Sequence, residues 1–357
     1  MQHRTIPGTD LRISLLGFGN FTFGTDWWGH FTDAQAVGLQ NHAVERGVNF
    51  FDTAPTYGNG RSENLLAATI KHVGRDKLVI STKFGYDIYT DPGDDKSHRE
   101  KKQDFSEKFI RLDLERSLKR LGIDHIDLYQ AHNIRLQHCT GELLSTMQKL
   151  QQEGKIRHYG VALGPAIGWR EEGHKALLEL DAATVQTVFN LYEQDPGREL
   201  SEICHKRGRG GIISRVPTNS GILDEEFKSP EHRFPESDHR KFRDRNWLVY
   251  GLKKNKQTLP MARQLGISLR QLAFKWLATQ PALVSIEPNI LRREDIDDFA
   301  DVADDTSLPE QIVHQIDNLY ADDFALGPDA HPCDLKSSTN LKGVVHSSYQ
   351  PPTFATT

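Results

Sequence analysis

Cysteine is scarce in this chain of 357 residues: the three present, Cys139, Cys204 and Cys333, are far apart. An odd number at such spacing gives neither a disulfide framework nor the paired spacing of a zinc site. An excess of charge is also missing, because 44 lysines and arginines face 49 acidic residues, for a net charge of −5. A nucleic-acid-binding protein would show a basic patch, and the sequence has none.

Long apolar runs are missing too. The uncharged segment 13–25 is short and holds three glycines, whereas a membrane helix needs about 20 apolar residues. The first residues, MQHRTIPGTDL, lack the apolar stretch of a secretory signal. The composition, 37% hydrophobic and 26% charged, is typical of a globular protein with a large core. We therefore expect a soluble cytoplasmic protein, and its oligomeric state is left open.

Short apolar runs recur along the chain as eight strand candidates. A predicted hairpin around Pro7-Gly8 precedes the first, LLGFGN (15–20). The other seven are 48–54, 78–85, 126–132, 156–163, 184–190, 211–217 and 283–289. Amphipathic helical patterns lie between them, and this alternation predicts a parallel sheet covered by helices. Eight units favour a closed (β/α)8 TIM barrel; a doubly wound sheet is second, because no G-x-G-x-x-G follows the first strand.

Four helices can be delimited from their caps and apolar stripes. The first begins at Thr32 or Asp33, buries Val37, Ala43 and Val44, and stops at Gly47. The others are a segment from Ser106 to Gly122, a segment around Leu143, Met147 and Leu150 that stops at Gly154, and residues 267–277.

Two connections are too long for turns, residues 86–105 and 218–258. Both follow strands, so they belong to the face at the carboxyl ends of the strands, where barrel active sites form. We interpret them as lids, with solvated surface loops as the alternative. One domain is expected to cover 1–325, and 326–357 would be a tail, either disordered or packed across the barrel mouth.

Charged and polar residues at strand ends form the candidate site. Asp52 ends the second predicted strand, Lys83 the third and His132 the fourth, while Tyr57 follows Asp52 in the turn PTYGNG. A barrel brings all four to one mouth. A phenol with a pKa of about 10 is a poor proton donor near neutrality, and a neighbouring cation lowers that value. Lys83 held by Asp52 would supply the cation, and His132 would orient a carbonyl oxygen. Such a site suits carbonyl reduction by hydride transfer.

The same residues lie within segments that closely resemble the aldo-keto reductase family. These segments are GVNFFDTAPTYGNGRSENLL (47–66), VISTKFG (79–85), DLYQAHN (127–133), GKIRHYGVAL (154–163) and VQTVFN (185–190). The resemblance covers about residues 4–320, and the chain is identified as a bacterial-type member of the family. It implies a (β/α)8 barrel that binds NADP(H), with Asp52, Tyr57, Lys83 and His132 as the catalytic tetrad.

For the cofactor, the resemblance gives a mixed result. Gln186 matches the glutamine that holds the nicotinamide carboxamide, but the family's Ser-Asn pair is replaced by Ala162-Leu163. Arg215 stands where many members place an aromatic residue under the ring, and its planar guanidinium could stack there. The remaining expected cofactor contacts are Ser214, Pro217 and Asn289.

After the eighth strand, Phe299 stands at the position of the adenine-binding asparagine, while Arg292 and Arg293 lie where the next helix should begin. A helix N-terminus with two guanidiniums could bind the 2′-phosphate; surface arginines are the alternative. NADP(H) is favoured because the family favours it, and NAD(H) is the second choice.

Aromatic residues after the first strand are the candidate substrate wall: Phe21, Trp27, Trp28 and His30, with Tyr86 after the third strand. Together with Asp26 they suit a sugar, a polyol or an aryl aldehyde, and simple packing is the alternative. Two other functions are considered. Lys83 could form a Schiff base in a barrel lyase, or the chain could be a non-catalytic subunit that senses cofactor. No metal site is expected.

Overall fold

The computed structural model describes residues 1–25, 27–90, 92, 100–164, 169–236 and 238–330. The strands are β1 (His3–Thr5), β2 (Arg12–Ser14), β3 (Phe18–Gly19), β4 (Phe50–Asp52), β5 (Val79–Phe84), β6 (Ile126–His132), β7 (Ile156–Ala162), β8 (Thr184–Val188), β9 (Gly211–Arg215) and β10 (Leu283–Glu287). The helices are α1 (Phe21–Gly24), α2 (Asp33–Glu45), α3 (Arg61–Val73), α4 (Glu107–Leu121), α5 (Gly141–Gln152), α6 (Arg170–Leu178), α7 (Gly197–Arg207), α8 (Arg245–Gln264), α9 (Leu269–Ala278), α10 (Arg293–Asp304) and α11 (Glu310–Ala321).

Strands β3 to β10 form one parallel sheet in chain order, each strand pairing with the next. A parallel bridge between Leu16 and Ile286 joins the first strand to the last and closes the barrel. The (β/α)8 fold is therefore confirmed. The first strand is shorter than predicted. After the bridge at Leu16, only Phe18 and Gly19 pair with the next strand.

The N-terminal hairpin, also confirmed, closes the bottom of the barrel. Gly8 takes a positive φ of 82° in its turn, a conformation that glycine adopts at little cost. Apolar side chains of the hairpin pack against residues of the barrel strands in one small cluster. This cluster contains Ile6, Leu11, Ile13, Phe50, Val79, Leu128, Ile213 and Val284. The opposite end is thereby left for ligands.

Helix α4 follows its sequence pattern: Ser106 accepts a capping bond from Phe109 N, and Gly122 ends the helix in the left-handed conformation. In α2 the prediction was partly wrong. Ala43 is buried, but Val37 and Val44 are only partly buried, because the inward face is centred on Ala36 and Leu39.

The predicted loop 218–258 was too long, because α8 begins at Arg245 with Asp244 as its N-cap. The segment 216–244 is called the mouth loop below. The described ends of the 86–105 connection pair with each other through a bridge between Tyr86 and Gln103.

Part of the expected tail is described. A 3₁₀ turn spans Pro328–Ala330, and Lys254 Nζ donates to the carbonyl of the buried Ala330 at 2.7 Å. Residues 331–357 lie outside the described residues. Among the described residues, no helix has the length and apolar character needed to cross a membrane.

Candidate active site

The ends of β4, β5 and β6 bring the four predicted tetrad residues together. Asp52 and His132 are the last residues of their strands, and Lys83 lies one residue before the end of β5. Tyr57 lies in the turn between β4 and α3. Its ring meets that of His132 edge-on at 5.7 Å, and Lys83 Nζ lies 5.1 Å from the Tyr57 ring centre.

Lys83 is fully buried and held by two acceptors. Its Nζ donates to Asp52 Oδ2 in a short contact and to the Thr53 carbonyl at 3.0 Å. The other oxygen of Asp52, Oδ1, accepts from Ser81 Oγ at 2.8 Å and Gln130 Nε2 at 3.1 Å. A buried ion pair with this many supporting hydrogen bonds has a fixed geometry.

The electrostatics differ in one respect from the sequence-based expectation. Burial raises the pKa of Tyr57, and the charges of Lys83 and Arg215 only partly offset this, so the expected net lowering was wrong. Burial opposes the charge of Lys83, but Asp52 and Tyr57 outweigh it and raise the Lys83 pKa. Burial, then Lys83 and Arg215, hold the pKa of His132 well below its usual range. The site therefore contains a cationic lysine and a neutral imidazole.

Gln186 on β8 is buried beside this pair. Its Nε2 donates to Asp52 Oδ2 at 3.2 Å and to Glu287 Oε2 at 2.8 Å. Among the described residues its amide oxygen has no recorded hydrogen bond. Glu287, the last residue of β10, was missed from the sequence, although a charged residue ending an apolar strand is the same signal that identified Asp52 and Lys83.

The expected cofactor contacts on β9 are only partly brought to the site. Arg215 ends the strand, is partly exposed, and its guanidinium donates to the Leu163 carbonyl at 3.3 Å. It is close enough to affect the pKa of His132. Ser214 is fully buried, and its hydroxyl donates to the Phe189 carbonyl at 2.6 Å. Pro217 is buried in the segment that follows.

The N-terminus of α10 carries Arg292 as N-cap and Arg293 as its first residue, both exposed. Asp295 turns back onto this end, and its Oδ2 accepts from the backbone N–H of Leu291 at 3.1 Å and of Arg292 at 3.2 Å. Asn289, partly exposed, precedes the helix. Phe299 is not at the surface: it is 2% exposed and packs in the core.

The predicted substrate wall forms a connected aromatic surface. The Phe21 ring meets Tyr57 edge-on at 5.1 Å and Trp27 at 5.4 Å. His239 from the mouth loop stacks on Trp27 at 5.5 Å and meets Trp28 at 4.8 Å. The indole N–H of Trp28 is buried and has no acceptor among the described residues.

Tyr86 reaches the site from the other side, with its ring 5.1 Å from that of His132 and its hydroxyl donating to Glu100 Oε1 at 2.9 Å. His30 is exposed. Asp26 lies outside the described residues.

The mouth loop is fixed over the aromatic wall by Arg240. This arginine is 7% exposed and bonds Asp238 and Glu226, each at 2.7 Å. Its guanidinium lies 4.9 Å from the Trp28 ring centre, a favourable cation–π distance. The expected lid thus has a defined contact with the wall.

A profile of the Aldo/keto reductase family matches residues 15–321 of the chain. The chain belongs to this family. It is 26% identical to L-galactose dehydrogenase of Arabidopsis thaliana over 88% of this chain and 95% of the relative. It is 28% identical to the aldo-keto reductase YhdN of Bacillus subtilis over 79% and 82%. The structure of a glycerol dehydrogenase from Gluconobacter oxydans superimposes with a TM-score of 0.74 at 25% identity, covering 89% and 95%.

This aldo-keto reductase is therefore an NAD(P)H-dependent oxidoreductase that interconverts a carbonyl compound and an alcohol. The comparisons support this function over the Schiff-base lyase and the non-catalytic subunit. The raised pKa of Lys83 agrees with them, because a Schiff-base lysine has to react as the neutral amine.

Proposed function

We propose that Tyr57 donates the proton to the carbonyl oxygen and that Lys83, Asp52 and His132 assist it. The observation that carries this proposal is the Lys83–Asp52 pair facing the Tyr57 ring, with His132 beside it. A bound nicotinamide supplies the hydride. As the oxygen becomes negative, the Tyr57 O–H transfers its proton, and Lys83 stabilises the phenolate that remains. His132, being neutral, has one ring N–H, which donates a hydrogen bond to the carbonyl oxygen.

The residues present fit a nicotinamide cofactor. The Gln186 amide has its nitrogen engaged by two carboxyl groups, so its oxygen is available to accept from the carboxamide. The Arg215 guanidinium at the mouth supplies a flat face for the ring. Ala162 and Leu163 offer no side-chain donor, and this part of the family's usual contact set is missing.

We propose a sugar or a polyol-derived carbonyl compound as the substrate. Aromatic faces next to polar groups suit hydroxylated ligands. Here the Phe21 ring adjoins Tyr57 and Trp27, and Tyr86, whose hydroxyl accepts from Asn133 Nδ2 at 2.9 Å, packs against His132. Two relatives, the L-galactose dehydrogenase and the glycerol dehydrogenase, are named for such compounds. We place the enzyme in the cytoplasm, without a nucleic-acid or membrane partner.

We expect turnover with polyhydroxylated substrates to exceed turnover with aryl aldehydes by about tenfold in kcat/KM, because one or two extra hydrogen bonds in the transition state supply about that factor. The measurement is the change in reduced-nicotinamide absorbance over a panel of sugars, polyols and aryl aldehydes with both cofactors. Equal or better rates with aryl aldehydes would contradict the substrate class, and no cofactor binding would contradict the function itself.

For the cofactor we propose NADP(H), supported by the two exposed guanidiniums at the N-terminus of α10. NAD(H) is the second candidate, favoured by one observation: Asp295 already accepts two of the backbone N–H groups there and places a carboxylate near the phosphate position.

Replacing both Arg292 and Arg293 by alanine is expected to raise the Kd for NADPH about tenfold, since each exposed ion pair with a phosphate contributes about 0.7 kcal/mol and about 1.4 kcal/mol corresponds to tenfold. The Kd for NADH should change less than about twofold. Tryptophan fluorescence titration measures both values, and Arg263→Ala on the exposed face of α8 is the matched control. An equal loss of affinity for NADH would mean that these arginines do not bind the 2′-phosphate.

A further inference from the structure

A second buried carboxyl group shares the amide of Gln186 with Asp52. Glu287 Oε2 accepts from Gln186 Nε2 at 2.8 Å, and the residue is 9% exposed. Gly17, directly before β3, makes room for it, and Gly19 lies at ordinary contact distance. A Cβ atom at Gly17 would come within 2.9 Å of Glu287 Cγ, and one at Gly19 would lie 3.8 Å from its Oε2. The carboxyl group is therefore built into the site.

The two carboxyl groups differ sharply in their hydrogen bonds. Asp52 accepts from four donors, as described above, whereas Glu287 has the Gln186 bond, and its Oε1 is buried without a partner among the described residues. A buried carboxyl group that accepts several hydrogen bonds is stabilised in its ionised form, whereas one that accepts few tends to retain its proton. Burial and then Asp52 raise the Glu287 pKa well above its usual range, and Lys83 on β5 and Arg215 on β9 offset this only in part.

We propose that Glu287 responds to the charge of the bound cofactor: it is neutral in the free protein and releases its proton to water when the oxidised, positively charged nicotinamide binds. This inference rests on the proposed function, in which Gln186 holds the carboxamide. The resulting carboxylate would then serve as counter-ion to the ring and favour the oxidised cofactor at high pH.

The sign of the pH dependence follows from linkage. A positive ring lowers the pKa of Glu287, so between its free and bound values the oxidised cofactor displaces a proton, and its affinity rises with pH. The reduced cofactor carries the same phosphates but a neutral ring. The ratio of the two dissociation constants therefore isolates the ring charge. An opposite charge at close range shifts a pKa by about one unit or more, which corresponds to a change of about tenfold in this ratio.

The experiment measures the Kd of NADP⁺ and of NADPH from about pH 6 to about pH 9 by tryptophan fluorescence. Calorimetry in buffers of different ionisation enthalpy counts the protons released. For the unmodified protein, the ratio of the NADP⁺ Kd to the NADPH Kd should fall about tenfold with rising pH. In Glu287→Gln the amide keeps the volume and an acceptor for Gln186 but cannot ionise, so the ratio should be flat. The control Glu310→Gln removes an exposed carboxylate of α11, away from the site, and should behave as the unmodified protein.

The outcomes separate the inference about Glu287 from the proposed function. If neither cofactor binds to the unmodified protein, the proposed function fails. If both bind and the proton release is the same in Glu287→Gln, only the inference about Glu287 is overturned. Should Glu287→Gln not fold, as judged by circular dichroism, Glu287→Ala provides the same test, because it leaves a space above Gly17 and Gly19 without a titrating group.

Discussion

Tyr57→Phe is expected to lower kcat for carbonyl reduction about a thousandfold, within the range of about 10²–10⁴ that a positioned general acid contributes. The substitution removes the only atom that differs between the two side chains, the hydroxyl that would give its proton to the substrate. The ring contacts with Phe21 and His132 remain. We therefore expect the Kd for the cofactor and the thermal midpoint of unfolding to change little. Single-turnover kinetics with saturating cofactor measure the effect.

The matched control is Tyr89→Phe. Tyr89 is another partly buried tyrosine, whose hydroxyl donates to Asp113 at 2.6 Å away from the tetrad. It should retain nearly the full kcat even though it loses a buried hydrogen bond. If Tyr57→Phe kept turnover within about threefold of the unmodified enzyme, Tyr57 would not be the proton donor, since such a change is far below the contribution of general acid catalysis.

The pH profile gives a second test of the same residue. Because burial raises the pKa of Tyr57, the phenol stays protonated through neutral pH. Carbonyl reduction, which needs the proton, should be independent of pH there and fall only in the alkaline range. Alcohol oxidation, which needs the phenolate as acceptor, should rise with pH over that range.

The four tetrad residues could be predicted from the sequence because each is recognised from its immediate neighbours along the chain. Asp52, Lys83 and His132 each lie at the end of a short segment rich in apolar and β-branched residues, and a parallel barrel places the ends of such segments at one mouth. Their distances follow from the fold alone. Glu287 carries the same local signal at the end of its strand, but the arginines that follow it are the more conspicuous charges.

The mouth loop could not be derived in the same way. Its contact with the substrate wall depends on the Arg240 guanidinium reaching Trp28, more than 200 positions earlier in the chain, and no periodicity encodes a contact between two irregular segments. The start of α8 was obscured by its mixed polar sequence, in which Pro260 also interrupts the helical pattern. The direction of the Tyr57 pKa shift depends on burial, which only the folded structure defines.

Lys83→Met is expected to lower kcat at least about a hundredfold and also to destabilise the fold. Without the cation the phenolate of Tyr57 is no longer stabilised, and the Asp52 carboxylate is left buried beside an apolar group. Removing one partner of a buried ion pair costs about 3–5 kcal/mol. Equilibrium urea unfolding measures the loss of stability, and turnover is assayed at a temperature where circular dichroism shows the variant to be folded.

The double variant Asp52→Asn, Lys83→Met separates the two effects. It removes both charges, so we expect it to recover more than half of the lost free energy of unfolding, since a neutral pair leaves no buried charge. The amide oxygen of the introduced asparagine would still accept from Ser81 and Gln130. Turnover should not recover, because the cation that stabilises the phenolate is still missing. Recovery of turnover together with stability would contradict the role of Lys83, and a borohydride-trapped adduct at Lys83 in the unmodified enzyme would favour the lyase mechanism instead.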